Sequence, residues 1–195
     1  MILQIPEGRF AAYLFDCDGT IANSLPLHLQ AWQTALAPYG ASFPEDLFYD
    51  WGGIPVPKTV EMLNTHLGLN LPVDVVTLAR EQAYLNALDS LVSHAEVEAI
   101  IKKQHGKTPM AVVSGSTRSS VEKTLRKLSL WEYFDVIVGA EDVKHGKPNP
   151  EPYLTAARLL NVEPEKCLVF EDAEPGVQAA LAAGMHYVRI PQRPA

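Results

Sequence analysis

The chain has 195 residues, 47% of them hydrophobic, and its 16 Lys and Arg stand against 23 Asp and Glu, a formal net charge of -7. That length suits one α/β domain, or such a core carrying a smaller insert, with ample apolar side chains for burial. The acidic balance argues against a nucleic-acid or anionic-membrane partner, so any grip on phosphate must come from local groups. The two cysteines, Cys17 and Cys167, make no disulfide framework and suit a reducing compartment. No basic-then-apolar leader and no bilayer-length apolar run are seen, which implies a cytoplasmic protein.

In chain order, Phe10–Phe15 reads as a buried strand that runs into Asp16-Cys17-Asp18-Gly19-Thr20. A helical pattern follows, with Asn23 or Ser24 as its cap, Pro26 in the first turn and a stripe of Leu25, His28, Leu29, Trp32 and Leu36. Residues 40–57 read as a loop, with a bend at Trp51-Gly52-Gly53-Ile54-Pro55. Further helices are predicted over Lys58–Leu67 and Asp74–Leu88. Nothing from 21 to about 90 resembles a strand, so this stretch is expected to be an all-helical cap (21–90) inserted into a discontinuous core (1–20 and 91–195).

From there the alternation is regular. A helix at Ala95–Gln104 leads to a strand at Met110–Val113, then Ser114-Gly115-Ser116-Thr117 and a helix through Leu128. A strand at Phe134–Val138 precedes a loop ending in Lys144-His145-Gly146-Lys147-Pro148-Asn149-Pro150. A helix at Glu151–Leu160 is followed by a strand at Cys167–Phe170 ending in Glu171-Asp172. The last helix runs to Ala183 and is stopped by Gly184, His186–Ile190 is the final strand, and 191–195 is expected to fray. Strands alternating with helices imply right-handed crossovers and a parallel, doubly wound α/β sheet.

The chemistry-bearing residues fall after four of these strands: Asp16 and Asp18, then Ser114, then Lys147, then Glu171 and Asp172. Ligands of open α/β sheets bind outside the carboxyl ends of the strands. Each fragment alone has an ordinary reading: a solvated turn, a helix cap, a loop lysine, an exposed acidic turn. Together, four carboxylates, a lysine and a hydroxyl at one sheet edge suit a hard cation such as Mg²⁺ and a phosphoryl group. Ser114 and the helix N–H groups after it are expected to hold phosphate oxygens.

The motifs Asp16-Cys17-Asp18-Gly19-Thr20, Val113-Ser114-Gly115-Ser116, Gly146-Lys147-Pro148-Asn149-Pro150-Glu151-Pro152-Tyr153 and Val169-Phe170-Glu171-Asp172, continued through Gly176 to Ala179, resemble those of the haloacid dehalogenase superfamily. The resemblance covers residues 10 to 188, in the subgroup with a helical cap after the first strand, within which the chain is similar to β-phosphoglucomutases and related sugar phosphatases. It implies a Rossmannoid core, Asp16 as nucleophile, Asp18 as general acid/base, and Ser114, Gly115 and Lys147 on phosphate. It also implies Mg²⁺ on the side of Asp16, Asp18, Glu171 and Asp172, with Asp172 the direct ligand. From the cap, Ser24, His28 and Arg80 would meet the substrate.

The expected reaction is Mg²⁺-dependent hydrolysis of a small sugar phosphate, such as fructose 1-phosphate or a hexose or gluconate phosphate, through an aspartyl phosphate. A monomer acting on a small phosphorylated metabolite is expected, with no nucleic-acid or membrane partner. A mutase would use the same intermediate. The mutase cap carries an Arg where this chain has Val56, with only Lys58 nearby, and Thr20 stands where mutases usually have Val, so hydrolysis is favoured. A phosphorylated receiver domain shares the site chemistry but has no insert after its first strand. A dehalogenase proper needs neither Mg²⁺ nor the acid Asp18. Cysteine-phosphatase, P-loop, dinucleotide and His-Glu-x-x-His zinc motifs are absent.

Overall fold

The apolar run ahead of Asp16 becomes a strand buried along its whole length, β1 (Ala12–Phe15). After it come α1 (Leu25–Leu36), α2 (Glu45–Asp50), α3 (Val56–Leu67), α4 (Val73–Ala87) and α5 (Ala95–Gln104). Then follow β2 (Met110–Val113), α6 (Arg118–Lys127), β3 (Val136–Val138), α7 (Glu151–Leu159), β4 (Cys167–Glu171), α8 (Glu174–Ala182) and β5 (His186–Arg189). This computed structural model describes residues 3–52 and 54–192. The chain divides into two units: residues through Asn23 together with those from Val92 onward, and Ser24–Leu91.

In the first unit the five strands are all parallel, in the order β3-β2-β1-β4-β5. Because side chains alternate along a strand, β1 divides its residues between two cores. Tyr13 and Phe15 join Met110, Val112, Leu168 and Phe170 under Val97 and Ile101 of α5 and Val121 and Leu125 of α6. Ala12 and Leu14 join Ala111, Val113 and Val169 under Tyr153, Ala156 and Ala157 of α7 and Ala179 and Ala180 of α8. Full burial of a Leu or Phe contributes roughly 1.5–3 kcal/mol, so a strand sandwiched in this way carries no charge until it reaches Asp16. Phe15 and Phe170 stack at 4.6 Å, tying the central pair of strands together.

The chain leaves and re-enters this unit through paired segments. The Asn23 N–H donates to the Val92 carbonyl (2.9 Å) and the His94 N–H to that of Ile21 (3.0 Å), with an antiparallel bridge between Ala22 and Ser93.

The second unit is all helical over its described residues. Its core gathers Trp32, Ala35 and Leu36 of α1, Val60 and Leu63 of α3 and Val76 of α4 around Phe43 and Phe48. Trp32 and Phe48 both meet the Phe43 ring edge-on. Asn64 braces the α3–α4 turn, donating to the Leu71 carbonyl and accepting its N–H. Gly40 and Gly68 take left-handed φ of 62° and 64° where helical segments stop.

Two expectations are corrected. The loop expected over 40–57 contains α2, which starts after Pro44, carries Glu45 and Asp46 in its first turn and buries Phe48. Acidic residues at a helix N-terminus are favoured there, and one aromatic anchor suffices for so short a helix. Ser24 sits at the N-cap of α1 but makes no capping bond with its side chain. On α1 the buried residues are Ala31, Trp32, Ala35 and Leu36, while Leu25, His28 and Leu29 are half-buried. Gly53 of the expected bend and residues 193–195 of the expected tail lie outside the described residues. Among the described residues no helix is long and apolar enough to cross a membrane.

Candidate active site

The site is built where β1, β2 and β4 end. The sheet ladder continues one residue past β1 and β2: the Asp16 N–H donates to the Phe170 carbonyl (3.0 Å) and the Ser114 N–H to that of Val138 (2.9 Å). Both side chains are thus fixed by backbone bonding in a central region of the sheet, and both are buried.

Lys147 binds these ends together. Its Nζ donates to Asp16 Oδ1 (2.7 Å), to Glu171 Oε2 (2.7 Å) and to the Val113 carbonyl (3.1 Å), and it lies 5.1 Å from the centre of the Tyr153 ring. Tyr153, fully buried on α7, donates its hydroxyl to Glu171 Oε2 (2.5 Å). The Ala173 N–H donates to Glu171 Oε1 (3.2 Å). Asp172 accepts from Thr20 Oγ1 (3.2 Å) and from Gln192 Nε2 (3.1 Å).

Two glycines let the backbone approach these acids. Gly19 has φ 86°, and a Cβ there would overlap the Asp172 carboxylate. A Cβ on Gly176 would overlap the Glu171 carboxyl group. The turn carrying Gly19 is closed by the Gly19 N–H on the Ala22 carbonyl (2.8 Å) and the Ala22 N–H on that of Cys17 (2.9 Å).

Asp16, Glu171 and Asp172 each present an oxygen within 4.8 Å of the others. Three buried carboxylates around one ammonium leave negative charge in excess, and the ionisations register it. Burial, then Glu171, with Asp172 adding, pushes Asp16 well above the ordinary carboxylate range against the pull of Lys147. Burial and then Glu171 push Asp172 up to about 6. Burial opposes the charge on Lys147, yet Asp16 and Glu171 hold it well above an ordinary lysine. All-oxygen donors with surplus negative charge fit a hard divalent cation. Burial, then Asp18 and Asp16, pushes the Cys17 thiol up, which disfavours its thiolate.

Asp18, expected among the metal-side acids, lies outside the trio of converging carboxylates. It is half-buried, and its Oδ2 accepts the Ser116 hydroxyl (3.1 Å). Ser114 Oγ in turn accepts the Ser116 N–H (3.0 Å). Two N–H groups at the start of α6 already have acceptors. Both carboxylate oxygens of Glu141 accept the Arg118 N–H, at 3.0 and 3.2 Å, and Thr117 Oγ1 accepts that of Ser120. Orphan N–H groups at a helix start take whichever acceptor is near, and here the loop after β3 supplies one. Gly115 lies in the loop between Ser114 and Ser116, with open space where a Cβ would stand.

In the second unit, His28 of α1 and Arg80 of α4 meet across 52 residues of sequence. Arg80 Nη2 lies 2.5 Å from His28 Nδ1, and because a guanidinium only donates, Nδ1 is the acceptor. The His28 ring stacks on Tyr84 (4.1 Å), and the buried Arg80 lies over the Trp32 and Tyr84 rings at 5.9 and 5.4 Å. His28 therefore belongs to a polar–aromatic cluster and not simply to an apolar stripe. Ser24 is buried at the start of α1.

The residues the sequence reading left without a role are Tyr153, Ser116, Glu141 and Gln192. Tyr153 and Ser116 lay inside quoted motifs. Tyr153 carried a usable signal: a polar ring on a helix face otherwise lined with alanine.

A family model described as haloacid dehalogenase-like hydrolase matches residues 10–184. The chain is 38% identical over 185 residues to a fructose-1-phosphate phosphatase of Escherichia coli strain K12, covering 93% of this chain and 97% of that one. It is 34% identical over 181 residues to a phosphorylated carbohydrates phosphatase of Thermotoga maritima, covering 91% and 83%. It is also similar to a solved structure from Thermotoga maritima provisionally described as a β-phosphoglucomutase, with a TM-score of 0.73, 31% identity, and 89% and 82% of the two chains covered. A match along most of its length and relatives this similar leave one assignment: the chain belongs to the haloacid dehalogenase-like hydrolases.

Proposed function

We propose that the chain is a Mg²⁺-dependent phosphatase of a small sugar phosphate, working through a phosphoryl group carried on Asp16. The observation that supports this most strongly is the buried trio of Asp16, Glu171 and Asp172 at the strand ends, joined by Lys147, with Asp18 two residues on from Asp16 and held by Ser116. The named activities of the relatives, on fructose 1-phosphate and on phosphorylated carbohydrates, point to the substrate class.

In this reading a carboxylate oxygen of Asp16 attacks phosphorus in line and the bond to the sugar oxygen breaks. Asp18 gives its proton to that departing oxygen. Asp18 then takes a proton from water, whose oxygen attacks phosphorus, restoring Asp16 and releasing inorganic phosphate. Lys147 holds Asp16 in one orientation and neutralises phosphoryl charge, while Ser114 and Gly115 contact the phosphoryl oxygens. Asp16 and Asp172 would hold the cation, with Glu171 and Asp18 on the same side. When bound, it supplies charge neutralisation and fixes a phosphoryl oxygen. Ser24, His28 and Arg80 of the helical unit would read the sugar, and the paired His28 and Arg80 support that role. The unit itself would act as the cap, and the enzyme as a cytoplasmic monomer.

A mutase is the second reading, favoured by the solved relative described as a β-phosphoglucomutase. Against it, Lys58, the cation near the position where a mutase grips a distal phosphate, is exposed and paired with Glu61 (2.9 Å). A panel of phosphate esters assayed with and without Mg²⁺ tests the proposal through release of inorganic phosphate. Turnover of sugar phosphates that disappears on chelation is expected, and metal-independent turnover would sink it. β-Glucose 1-phosphate with a trace of glucose 1,6-bisphosphate separates the two readings. Glucose 6-phosphate forming faster than phosphate would establish the mutase.

A further inference from the structure

Glu171 is held more tightly than any other acid of the site. Its Oε2 receives two donors, the Tyr153 hydroxyl at 2.5 Å and Lys147 at 2.7 Å. Its Oε1 receives the Ala173 N–H at 3.2 Å. The backbone at Gly176 closes on the carboxyl group so nearly that no Cβ fits between them, and the residue is 1% exposed. Turning the carboxylate about its terminal bond would break all three of these hydrogen bonds.

A carboxylate whose Oε2 already accepts two hydrogen bonds has little left there for a cation, so Glu171 can offer at most Oε1. Mg²⁺ takes six ligands in near-ideal octahedral order, each from one oxygen. Ca²⁺ takes six to eight and readily chelates a carboxylate through both oxygens. Lys147 is needed for Asp16 as well, and donates to both acids. Tyr153 is fully buried, and its hydroxyl is donated to Glu171 Oε2.

Resting on the cation-dependent reading above, we propose that Tyr153 is a positioning residue that sets cation specificity. By occupying Glu171 Oε2 it denies the site a bidentate carboxylate and biases it towards Mg²⁺ over Ca²⁺. A tyrosine that merely satisfied its own buried hydroxyl would affect stability and leave the choice of cation alone.

Calorimetric titration of Mg²⁺ and of Ca²⁺ into the full chain, freed of cations by dialysis against a chelator, tests this directly. Wild type should bind Mg²⁺ at least as tightly as Ca²⁺. Tyr153→Phe keeps the ring and removes only the hydroxyl. It should raise Ca²⁺ affinity about tenfold relative to Mg²⁺, the lower end of what partners of metal ligands contribute. An unchanged ratio of the two dissociation constants in Tyr153→Phe would overturn the inference while leaving the metal centre standing. Should that variant fail to fold, wild type still tests the inference: a preference for Ca²⁺ overturns it, and binding of Mg²⁺ at least as tight as that of Ca²⁺ is the result it requires. Binding of neither cation to folded wild type would remove the metal centre itself, and the inference with it.

Discussion

The two units of the chain handle buried charge in opposite ways. In the sheet unit three acids are buried where β1 and β4 end, half-buried Lys147 reaches them from the loop after β3, and each has a named partner. In the helical unit the core is aromatic and aliphatic, and the buried charge is Arg80, wrapped by Trp32, His28 and Tyr84. A strand end cannot shift without breaking hydrogen bonds on both sides, whereas rings around a guanidinium can repack around a different side chain. The contrast suits a division in which the sheet fixes the chemistry and the helices carry what can vary.

The most severe way to break that division is at Asp16. Asp16→Asn keeps the shape and removes the attacking charge. Turnover should fall by at least about 10³-fold, the scale seen when a nucleophile is lost, while the melting temperature stays close to wild type. Activity above a tenth of wild type would put the nucleophile elsewhere.

Lys147→Met comes next. It strands Asp16 and Glu171 without their shared cation, and breaking a buried pair costs about 3–5 kcal/mol. Denaturant unfolding in chelator should register that loss, and saturating Mg²⁺ should recover part of it. The same variant should also lose most of its turnover.

The excess of acids predicts a pH effect of similar kind. Asp172, raised to about 6, binds its proton more tightly folded than unfolded. The chelated protein should therefore lose stability as pH rises from about 4 through about 6, by about 2–3 kcal/mol for this group. Mg²⁺ must displace that proton, so its stabilising effect should grow across the same window. Unfolding curves in chelator and in Mg²⁺ at several pH values check this, and a flat profile would mean that Asp172 holds its proton alike folded and unfolded.

Changes in the helical unit should be smaller and selective. His28→Ala removes a partner of Arg80 and should lower kcat/KM on the best sugar phosphate about tenfold or more, as expected for a hydrogen bond involving a charged group. On p-nitrophenyl phosphate it should have little effect. Equal losses on both esters would return His28 to a packing role. The mildest change is Ser116→Ala, which takes one neutral donor from Asp18 and should cost a few-fold in kcat.

How much of this was legible in the sequence follows the same division. The parallel sheet could be read because its strands are short, uninterrupted apolar runs ended by polar turns, such as Met110–Val113 before Ser114. Asp16, Glu171 and Asp172 could be named because each directly follows or ends such a run, and Lys147 because it stands in the polar loop that follows one. α2 was hidden, since six residues give no helical period and its start is marked only by Pro44 and two acids. The cap on α6 was hidden too: Glu141 reaches it from 23 residues away, and spacing along a chain does not encode such a meeting. The same holds for His28 on Arg80, where both residues were named but their contact depends on how α1 lies on α4. Tyr153 was visible as a letter and invisible as a donor, because its target lies on another strand.

The paired segments around Ala22 and Ser93 carry one more consequence. Since Asn23 and Val92 are already hydrogen-bonded to each other, everything between them is, topologically, a loop whose two feet touch. Such a loop can be lengthened, shortened or exchanged for another without asking the sheet to move, because closing a loop costs only slowly more as it grows. The helical unit is in that sense a cassette. A lineage could trade one sugar for another by replacing residues 24–91 wholesale, and a short turn joining Asn23 to Val92 should leave a soluble, correctly wound sheet that has lost its discrimination among esters.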